Sequence, residues 1–269
     1  MEQYHERLKS VKRIVIKVGS STLTHDNGKM NLKRIDDIAF TISDLANQGI
    51  EVILVSSGSI AVGVEKMRLS EKPENIPEKQ AAAAVGQCEL MSMYSNLFSR
   101  YGQTVAQILV TRDAFDKEIS LRNVTNTFES LLKKNIIPIV NENDTVSIEE
   151  LEYVNKFGDN DTLSAHIANI CKADMLVILT DMDGMYDDDP RENPNAKIIN
   201  VVDVIDEKIE NFAKGEGTSR GTGGFFTKIK AARMVNKNGI DMVIMNGARP
   251  YKINKILEGK KEGTLFVAK

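Results

Sequence analysis

Short apolar segments alternate with helical patterns along almost the entire sequence. Strands are predicted at residues 13–18, 51–55, 105–110, 136–140, 175–179, 241–245 and 263–267. Helical spacing of apolar residues occurs at 32–46, from about 60 onward, and at 79–100, 121–134, 161–173, 226–238 and 253–257. Such alternation is typical of an α/β fold in which helices cover both faces of a mostly parallel sheet. We therefore expect a three-layer, doubly wound α/β architecture.

Charge and composition exclude several classes of protein. The net charge is -3 with acids and bases interspersed, and no basic tract suggests a nucleic-acid partner. No apolar run approaches the roughly 18 residues of a membrane span, and the charged N-terminus does not resemble a signal peptide. Cys88 and Cys171 fall in apolar helical patterns, so we expect reduced thiols in or near the core of a cytoplasmic protein.

Polar loops follow several of the predicted strands. Lys17 to Ser21 overlaps the end of the first strand, Ser56 to Ser59 follows the second, and Thr180-Asp181 follows a later one. In an open parallel sheet, ligands bind beyond the carboxyl ends of the strands. These loops are therefore candidates for a common binding site.

The stretch from Asn141 to Asp161 contains two clusters of acids and amides. Asn141-Glu142-Asn143-Asp144 opens it, and Gly158-Asp159-Asn160-Asp161 closes it. Asn, Asp and Gly also favour ordinary solvated turns, which is the alternative interpretation of either cluster. Two clusters joined by a segment with its own apolar residues favour a functional site.

Two lysines stand where a phosphate could bind. Lys17 lies inside an apolar strand, where an unpaired buried ammonium would be costly. It is either an edge-strand residue facing solvent or a ligand of phosphate oxygens. Lys228 follows the glycine-rich turn that starts at Gly221, and such a turn at a helix N-terminus offers N–H groups and a positive dipole end. The same turn could be an ordinary flexible loop, and neither the P-loop nor the Rossmann pattern is present.

Taken in order, these motifs resemble the glutamate 5-kinase group of the amino acid kinase family. The motifs are Lys17 to Ser20, Ser56 to Gly63, Asn141 to Asp144, Gly158 to Asp161, Leu179 to Asp181 with Gly184-Met185-Tyr186, and Gly221 to Gly224 with Thr227-Lys228. The resemblance covers nearly the whole chain from about residue 12. The two acid and amide clusters are specific to this group, whereas the Lys-x-Gly-Ser and Thr-Asp motifs are shared more widely in the family.

The resemblance implies ATP-dependent phosphorylation of the side-chain carboxylate of L-glutamate, the first step of proline synthesis. It also implies Mg²⁺ bridging the ATP phosphates, with no dedicated metal ligands from the protein. The acceptor carboxylate has a reference pKa of about 4.3, so it is ionised at pH 7 and needs no general base. Catalysis must then come from positioning and from positive charge on the transferring phosphoryl group.

The resemblance also implies roles for individual residues. Lys17 and Lys228 would contact the transferring phosphoryl group, and Asp161 would orient both lysines. Ser57 would hold a glutamate carboxylate, Asp144 would accept from the α-ammonium, and Asn160 would hydrogen-bond the substrate. The ATP-binding residues would be Lys17, Thr180, Asp181, Thr222, Gly223, Gly224, Phe225, Phe226, Thr227 and Lys228. Phe225-Phe226 departs from the family, which usually has Met and a variable residue there.

The implied organisation is a single amino acid kinase domain over residues 1–269 with a carbamate kinase-like fold. The N-terminal part would bind the acceptor, and roughly 175–269 would bind the nucleotide. The sequence ends at Lys269, at the end of the kinase domain, so we expect a short form without the C-terminal PUA domain of many bacterial members. The resemblance further implies a homo-oligomer, dimer or tetramer, and feedback inhibition by proline.

Two alternatives remain at this point. Another family member, such as an acetylglutamate or uridylate kinase, would share the fold but lack the paired acid and amide clusters. A non-catalytic sensor of glutamate or proline would bind the ligand without transferring phosphate. Retention of Lys17, Asp161 and Lys228 argues against the sensor, because a sensor does not need both lysines.

Overall fold

The computed structural model describes residues 2–146, 159–190, 192–207, 209–210 and 224–269. Its helices are α1 (Glu2–Arg7), α2 (Ser20–Leu23), α3 (Leu32–Asn47), α4 (Ser59–Lys66), α5 (Ile76–Arg100), α6 (Asp113–Asp116), α7 (Glu118–Leu132), α8 (Asn160–Ile170), α9 (Phe225–Asn236) and α10 (Lys252–Leu257), with a 3-10 helix at Leu8–Ser10. Its strands are β1 (Arg13–Val18), β2 (Glu51–Ser56), β3 (Thr104–Val110), β4 (Ile136–Glu142), β5 (Met175–Thr180), β6 (Val201–Val202), β7 (Asp241–Asn246) and β8 (Thr264–Phe266). None of the helices in these ranges is long and apolar enough to cross a membrane.

The strands form one sheet in the order β3-β4-β2-β1-β5-β7-β8-β6. Every neighbouring pair from β3 to β7 is parallel. Strand β8 runs antiparallel to β7, and β6 is parallel to β8. An antiparallel edge on a largely parallel sheet is common in doubly wound folds. The predicted mostly parallel α/β sheet is confirmed.

The central strand β1 divides the core into two layers. Ile14 and Ile16 pack with apolar residues of α3, α5 and α10 on one face. Val15 packs with α7, α8 and α9 on the other face, as expected from the two-residue period of a strand. Strands covered on both faces have continuous apolar sequences, which is why they were recognisable in the sequence. The three-layer prediction is confirmed.

Several predicted element boundaries are wrong by two or three residues: the helix predicted at 121–134 spans Glu118–Leu132, and the helix predicted at 161–173 spans Asn160–Ile170. Two other cases have a clear cause. The helix predicted from residue 79 begins at Ile76, where the Asn75 side chain accepts a hydrogen bond from the Glu78 backbone N–H at 2.9 Å. Pro77 fits in this first turn because its missing N–H has no helical partner there. The strand predicted to end at 140 continues to Glu142, which brings the start of the first acid and amide cluster into the sheet.

The two cysteines have different environments. Cys171 is buried, as predicted, whereas Cys88 is exposed on α5, so the prediction that it lies in or near the core is wrong. The apolar pattern around Cys88 is weak because α5 is rich in alanine. Neither cysteine forms a disulfide.

Helices α4 and α5 touch through their backbones. A Cβ atom on Gly86 would lie 1.8 Å from the carbonyl oxygen of Ser59, and one on Gly63 would lie 1.8 Å from that of Ala82. No other residue type fits at either position without moving a helix. The contact holds the start of α4 against α5. It therefore also fixes the position of the loop that joins β2 to α4.

Candidate active site

The candidate site lies at the carboxyl edge of the sheet, where the parallel strands end. Backbone hydrogen bonds join neighbouring strand ends: Ser57 N–H donates to Val18 at 3.0 Å, and Gly247 N–H donates to Thr180 at 2.8 Å. The polar loops predicted from the sequence therefore meet at one edge. Helix α8 begins at the same edge, because Asn160 contacts Ser57.

Two lysines share one buried carboxylate at this edge. The Lys17 Nζ atom lies 2.6 Å from Asp161 Oδ1, and the Lys228 Nζ atom lies 3.1 Å from Asp161 Oδ2. The Thr227 hydroxyl also donates to Oδ2 at 2.8 Å. Lys17, Lys228 and Asp161 are 8%, 7% and 1% exposed, so each charge depends on its partner. Residues far apart in sequence thus place two ammonium groups side by side.

The fold explains why these three side chains meet. Lys17 is on the central strand β1, between β2 and β5, so it is not the solvent-facing edge residue of the alternative interpretation. It points to the same face as Val15, which is covered by α8 and α9. Asp161 is in the first turn of α8, whose N-terminus is capped by Asp159 accepting from the Thr162 N–H at 2.9 Å.

The charge state of Asp161 follows from these contacts. Burial by itself would raise its pKa, but the charges of Lys17 and Lys228, with hydrogen bonds from Lys17 and Thr227, outweigh burial and lower the pKa to about 2. Burial and the neighbouring charge of Asp161 raise the pKa of Asp159. A carboxylate with such a low pKa is a poor proton acceptor at pH 7. Asp161 is suited to hold two cations rather than to act as a base.

The three predicted substrate residues belong to one hydrogen-bonded network. Asn160 Nδ2 donates to the Ser57 hydroxyl at 2.6 Å and to Asn141 Oδ1 at 3.0 Å. The Ser59 hydroxyl donates to Asp144 Oδ2 at 3.1 Å. Asn141 Nδ2 lies 3.4 Å from the Ser59 oxygen. This contact links the hydrogen bonds of Asn160 to the pair formed by Ser59 and Asp144. Sequence reasoning quoted Asn141 and Ser59 within motifs but assigned them no role.

Gln87 is a member of this network that sequence reasoning missed. Its Oε1 atom accepts a hydrogen bond from Asn141 Nδ2 at 2.9 Å. Gln87 is 9% exposed and lies on α5 beside Gly86, at the close contact with α4. A glutamine on the inward face of an alanine-rich helix was the available signal, since such a residue needs a polar partner when buried.

The loops after β5 and β7 form the other side of the site. The Thr180 hydroxyl donates to Asp181 Oδ1 at 2.9 Å. Asn246 Nδ2 donates to Asp183 Oδ1 at 3.0 Å and lies 3.4 Å from the Asp181 carbonyl oxygen. Asn246, another residue with no predicted role, therefore contacts the loop that carries the predicted nucleotide residue Asp181.

Four residues of the predicted motifs lie outside the described residues: Gly158, Gly221, Thr222 and Gly223. Gly224 is the N-cap of α9 and offers no side-chain cap. Phe225 packs partly against the core, whereas Phe226 is exposed. The structure thus brings together Lys17, Lys228, Asp161 and Thr227 but leaves part of the predicted phosphate loop undescribed.

Comparison with known proteins places the chain in a family. Residues 12–246 match the model of the amino acid kinase family. Glutamate 5-kinase of Clostridium perfringens is 54% identical over 262 residues, which is 97% of each chain. The chain belongs to the glutamate 5-kinase group of the amino acid kinase family. A second member of the group, glutamate 5-kinase of Enterococcus faecalis, is 55% identical over 97% of this chain and 96% of its own length.

A solved structure agrees with the family fold. Carbamate kinase from Giardia lamblia, bound to AMP-PNP, superposes with a TM-score of 0.68 over 96% of this chain and 99% of that chain. The sequence identity is 16%, so this likeness concerns the fold alone. The predicted carbamate kinase-like fold is confirmed. The predicted roles of the site residues remain predictions.

Proposed function

We propose that this protein transfers the γ-phosphoryl group of ATP to the side-chain carboxylate of L-glutamate, giving L-glutamyl 5-phosphate for proline synthesis. Membership of the glutamate 5-kinase group supports the substrate. The structural observation that carries the chemistry is the pair of ammonium groups held by Asp161 at the carboxyl edge of the sheet. The alternative family activities, on acetylglutamate or UMP, are not favoured by these relatives.

The reaction brings the glutamate carboxylate close to the negatively charged phosphates of ATP. Positive charge in the site would reduce the repulsion between them. Lys17 and Lys228 would contact the transferring phosphoryl group and offset its charge in the transition state. Asp161 keeps both lysines in place and stays ionised, because its pKa is lowered to about 2. The acceptor carboxylate is already ionised at pH 7, so no residue has to remove a proton.

The network on the opposite side of the lysines would hold glutamate. Ser57 would donate to a substrate carboxylate, and Asp144 would accept from the α-ammonium. Asn160 would add a third polar contact next to Ser57, to which it is bonded. Ser57 lies near Lys17 because β1 and β2 are adjacent parallel strands, and Asn160 directly precedes Asp161, the partner of Lys17. A carboxylate held there would face the phosphate end of a nucleotide.

The nucleotide would lie on the side of β5, β7 and α9. Because Gly224 offers no side-chain cap, the first-turn N–H groups of α9 are suited to a phosphate. Thr180 and Asp181 would contact the rest of the nucleotide. The full proposed set of ATP-binding residues is Lys17, Thr180, Asp181, Thr222, Gly223, Gly224, Phe225, Phe226, Thr227 and Lys228.

Mg²⁺ would arrive with ATP. Within the described ranges, no three His, Cys, Asp or Glu side chains form a metal-binding group. The Asp161 carboxylate is occupied by two lysines and a threonine. These residues fit a cation held by phosphate oxygens and water, as is usual for Mg²⁺ on a nucleotide. When bound, the ion would add positive charge on the phosphates beside the lysines.

We also propose how the chain is organised. Residues 1–269 would form a single domain, with the N-terminal part binding the acceptor and roughly 175–269 binding ATP. Lys17 and Lys228 come from these two parts and meet at Asp161. A homo-oligomer, dimer or tetramer, is proposed from the family, and sedimentation would measure its size. The exposed unpaired thiol of Cys88 suits a cytoplasmic location.

Proline inhibition is a further proposal. Proline shares the α-carboxylate and the α-nitrogen of glutamate, so it would overlap the same network. Equilibrium binding should show that proline and glutamate compete. Independent, simultaneous binding of the two would refute the shared site.

A substrate panel tests the proposed function. The protein is incubated with MgATP and L-glutamate, N-acetylglutamate or UMP, and ADP release is followed with hydroxylamine present to trap an acyl phosphate. We expect ADP release and a hydroxamate with glutamate only. Transfer to another acceptor would favour a different family activity, and glutamate binding without ADP release would favour the sensor.

A further inference from the structure

We infer that Asn141, supported by Ser59 and Gln87, is a positioning residue that fixes which way the Asn160 amide points. The consequence is that the site selects an acceptor with a free α-ammonium group. This inference deepens the proposed function and rests on it. It concerns the substrate class and the residues behind the substrate contacts rather than the phosphoryl transfer.

The starting point is the Asp144 carboxylate, which can only accept hydrogen bonds. The Ser59 hydroxyl lies 3.1 Å from Asp144 Oδ2 and therefore donates its single hydrogen there. The Ser59 oxygen is left as an acceptor. The Asn141 side chain must then turn its Nδ2 group, and not its oxygen, toward Ser59, where the two atoms are 3.4 Å apart.

Gln87 supports the same orientation of Asn141. Its Oε1 atom accepts from Asn141 Nδ2 at 2.9 Å, so both hydrogens of that amide have acceptors. Gln87 is held on α5 at the glycine contact with α4, next to Ser59. With Nδ2 committed to Ser59 and Gln87, Asn141 can offer only its Oδ1 atom to Asn160.

The orientation of Asn160 follows from that of Asn141. Asn160 Nδ2 donates to Asn141 Oδ1 at 3.0 Å and to the Ser57 oxygen at 2.6 Å. Both amide hydrogens are used, and the Asn160 carbonyl oxygen has no hydrogen-bond partner among the residues that the structure describes. Ser57 accepts from Asn160, so the hydrogen of its own hydroxyl remains to be donated.

The resulting pattern matches one end of an α-amino acid. The Asn160 carbonyl and the Asp144 carboxylate are both acceptors, and a primary ammonium has three hydrogens to give. The Ser57 hydroxyl is a donor, as a carboxylate requires. An N-acylated amine carries one N–H and no charge, so it would satisfy only one of the two acceptors. Selection against it follows because it would bring no charge to the Asp144 carboxylate or would leave the Asn160 carbonyl without a donor.

The test replaces Asn141 with residues of similar shape. Asn141→Leu removes one of the two acceptors that hold the Asn160 NH₂ group and leaves Ser57 as the other. The Asn160 carbonyl is then no longer fixed toward the ammonium site. Asn141→Asp keeps the acceptor on the Asn160 side. Asn169→Leu is the matched control, because Asn169 also has both a donor and an acceptor partner but lies near the other end of α8.

The measured quantities are KM for L-glutamate and the inhibition constant of glutarate, which lacks the ammonium group. For Asn141→Leu we expect the KM for glutamate to rise about 10-fold or more. The inhibition constant of glutarate should rise less, so the preference for glutamate over glutarate falls. Asn141→Asp should retain more of this preference, and Asn169→Leu should retain all of it. The KM for ATP should not change in any variant.

Equal weakening of glutamate and glutarate in Asn141→Leu would overturn the inference, because a merely structural role would have that effect. An unchanged preference would overturn it as well. If Asn141→Leu does not fold, Gln87→Met provides the same comparison, and we expect the preference to fall by a smaller factor. Absence of ADP release from the wild-type protein with glutamate would instead refute the proposed function, so the two failures are distinguishable.

Discussion

Asp161→Asn is the substitution that tests the lysine pair most severely. It keeps the size of the side chain but removes the charge that Lys17 and Lys228 share at 2.6 Å and 3.1 Å. The pKa of Asp161 is lowered from 3.8 to about 2, which corresponds to about 2 kcal/mol of favourable interaction with the charged form. We expect the free energy of unfolding to fall by about that amount.

Thermal denaturation should show the lower stability of Asp161→Asn. For a chain of this length, about 2 kcal/mol corresponds to a decrease in Tm of roughly 4–8 °C. The two lysines would then lack their counter-charge, and the phosphates of a nucleotide could supply it. MgATP should therefore raise the Tm of Asp161→Asn by more than it raises that of the wild type.

A control separates this effect from a general loss of stability. Asp241 is also buried and pairs with Arg7, but it starts β7 at the opposite edge of the sheet. Asp241→Asn should lower the Tm, and MgATP should stabilise it as it stabilises the wild type. If Asp161→Asn had the wild-type Tm, or if MgATP stabilised it no more than the wild type, the reasoning about the shared carboxylate would be refuted.

Two further predictions concern pH and helix packing. Because the folded-state pKa of Asp161 is lowered to about 2, its stabilising contribution is complete above its unfolded pKa of about 3.8 and is lost as pH falls toward 2. In urea unfolding, the stability difference between the wild type and Asp161→Asn should thus be constant near pH 7 and shrink by about half at pH 3; a difference that stays constant down to pH 3 would contradict this. Gly86→Ala should lower stability by about 1–3 kcal/mol and raise the KM for glutamate, because its Cβ would lie 1.8 Å from the Ser59 carbonyl oxygen. The exposed Ala84→Ser is its control, and a Gly86→Ala variant with normal stability and KM would show that α4 does not depend on this contact.

The fold was largely predictable because its central strands are buried on both faces and are continuous apolar runs. Boundaries were less predictable where two signals competed. Proline is common in loops but also fits the first turn of a helix, which is where Pro77 lies. Asn141 favours turns and Glu142 is uncommon in strands, yet pairing with β3 keeps both in β4. The local cap at Asn75 decided the first case, and pairing with a neighbouring strand overrode the local preference in the second.

The candidate site was predictable in its charged residues and less so in its supporting ones. A lysine within an apolar strand requires a partner, so Lys17 was recognisable, but its position in the centre of the sheet depended on strand order. The meeting of Lys17 with Lys228 depends on the packing of α8 and α9, which sequence spacing does not encode. Gln87 and Asn246 act through hydrogen bonds to other residues. The inward face of an alanine-rich helix was a weak signal for Gln87, and no local pattern marks Asn246.

Single-turnover phosphoryl transfer in Lys17→Ala and Lys228→Ala tests the central claim most directly. The account predicts that each substitution slows transfer from ATP to glutamate by on the order of 10²-fold or more, while glutamate binding is retained. Transfer at a rate near that of the wild type in either variant would contradict it.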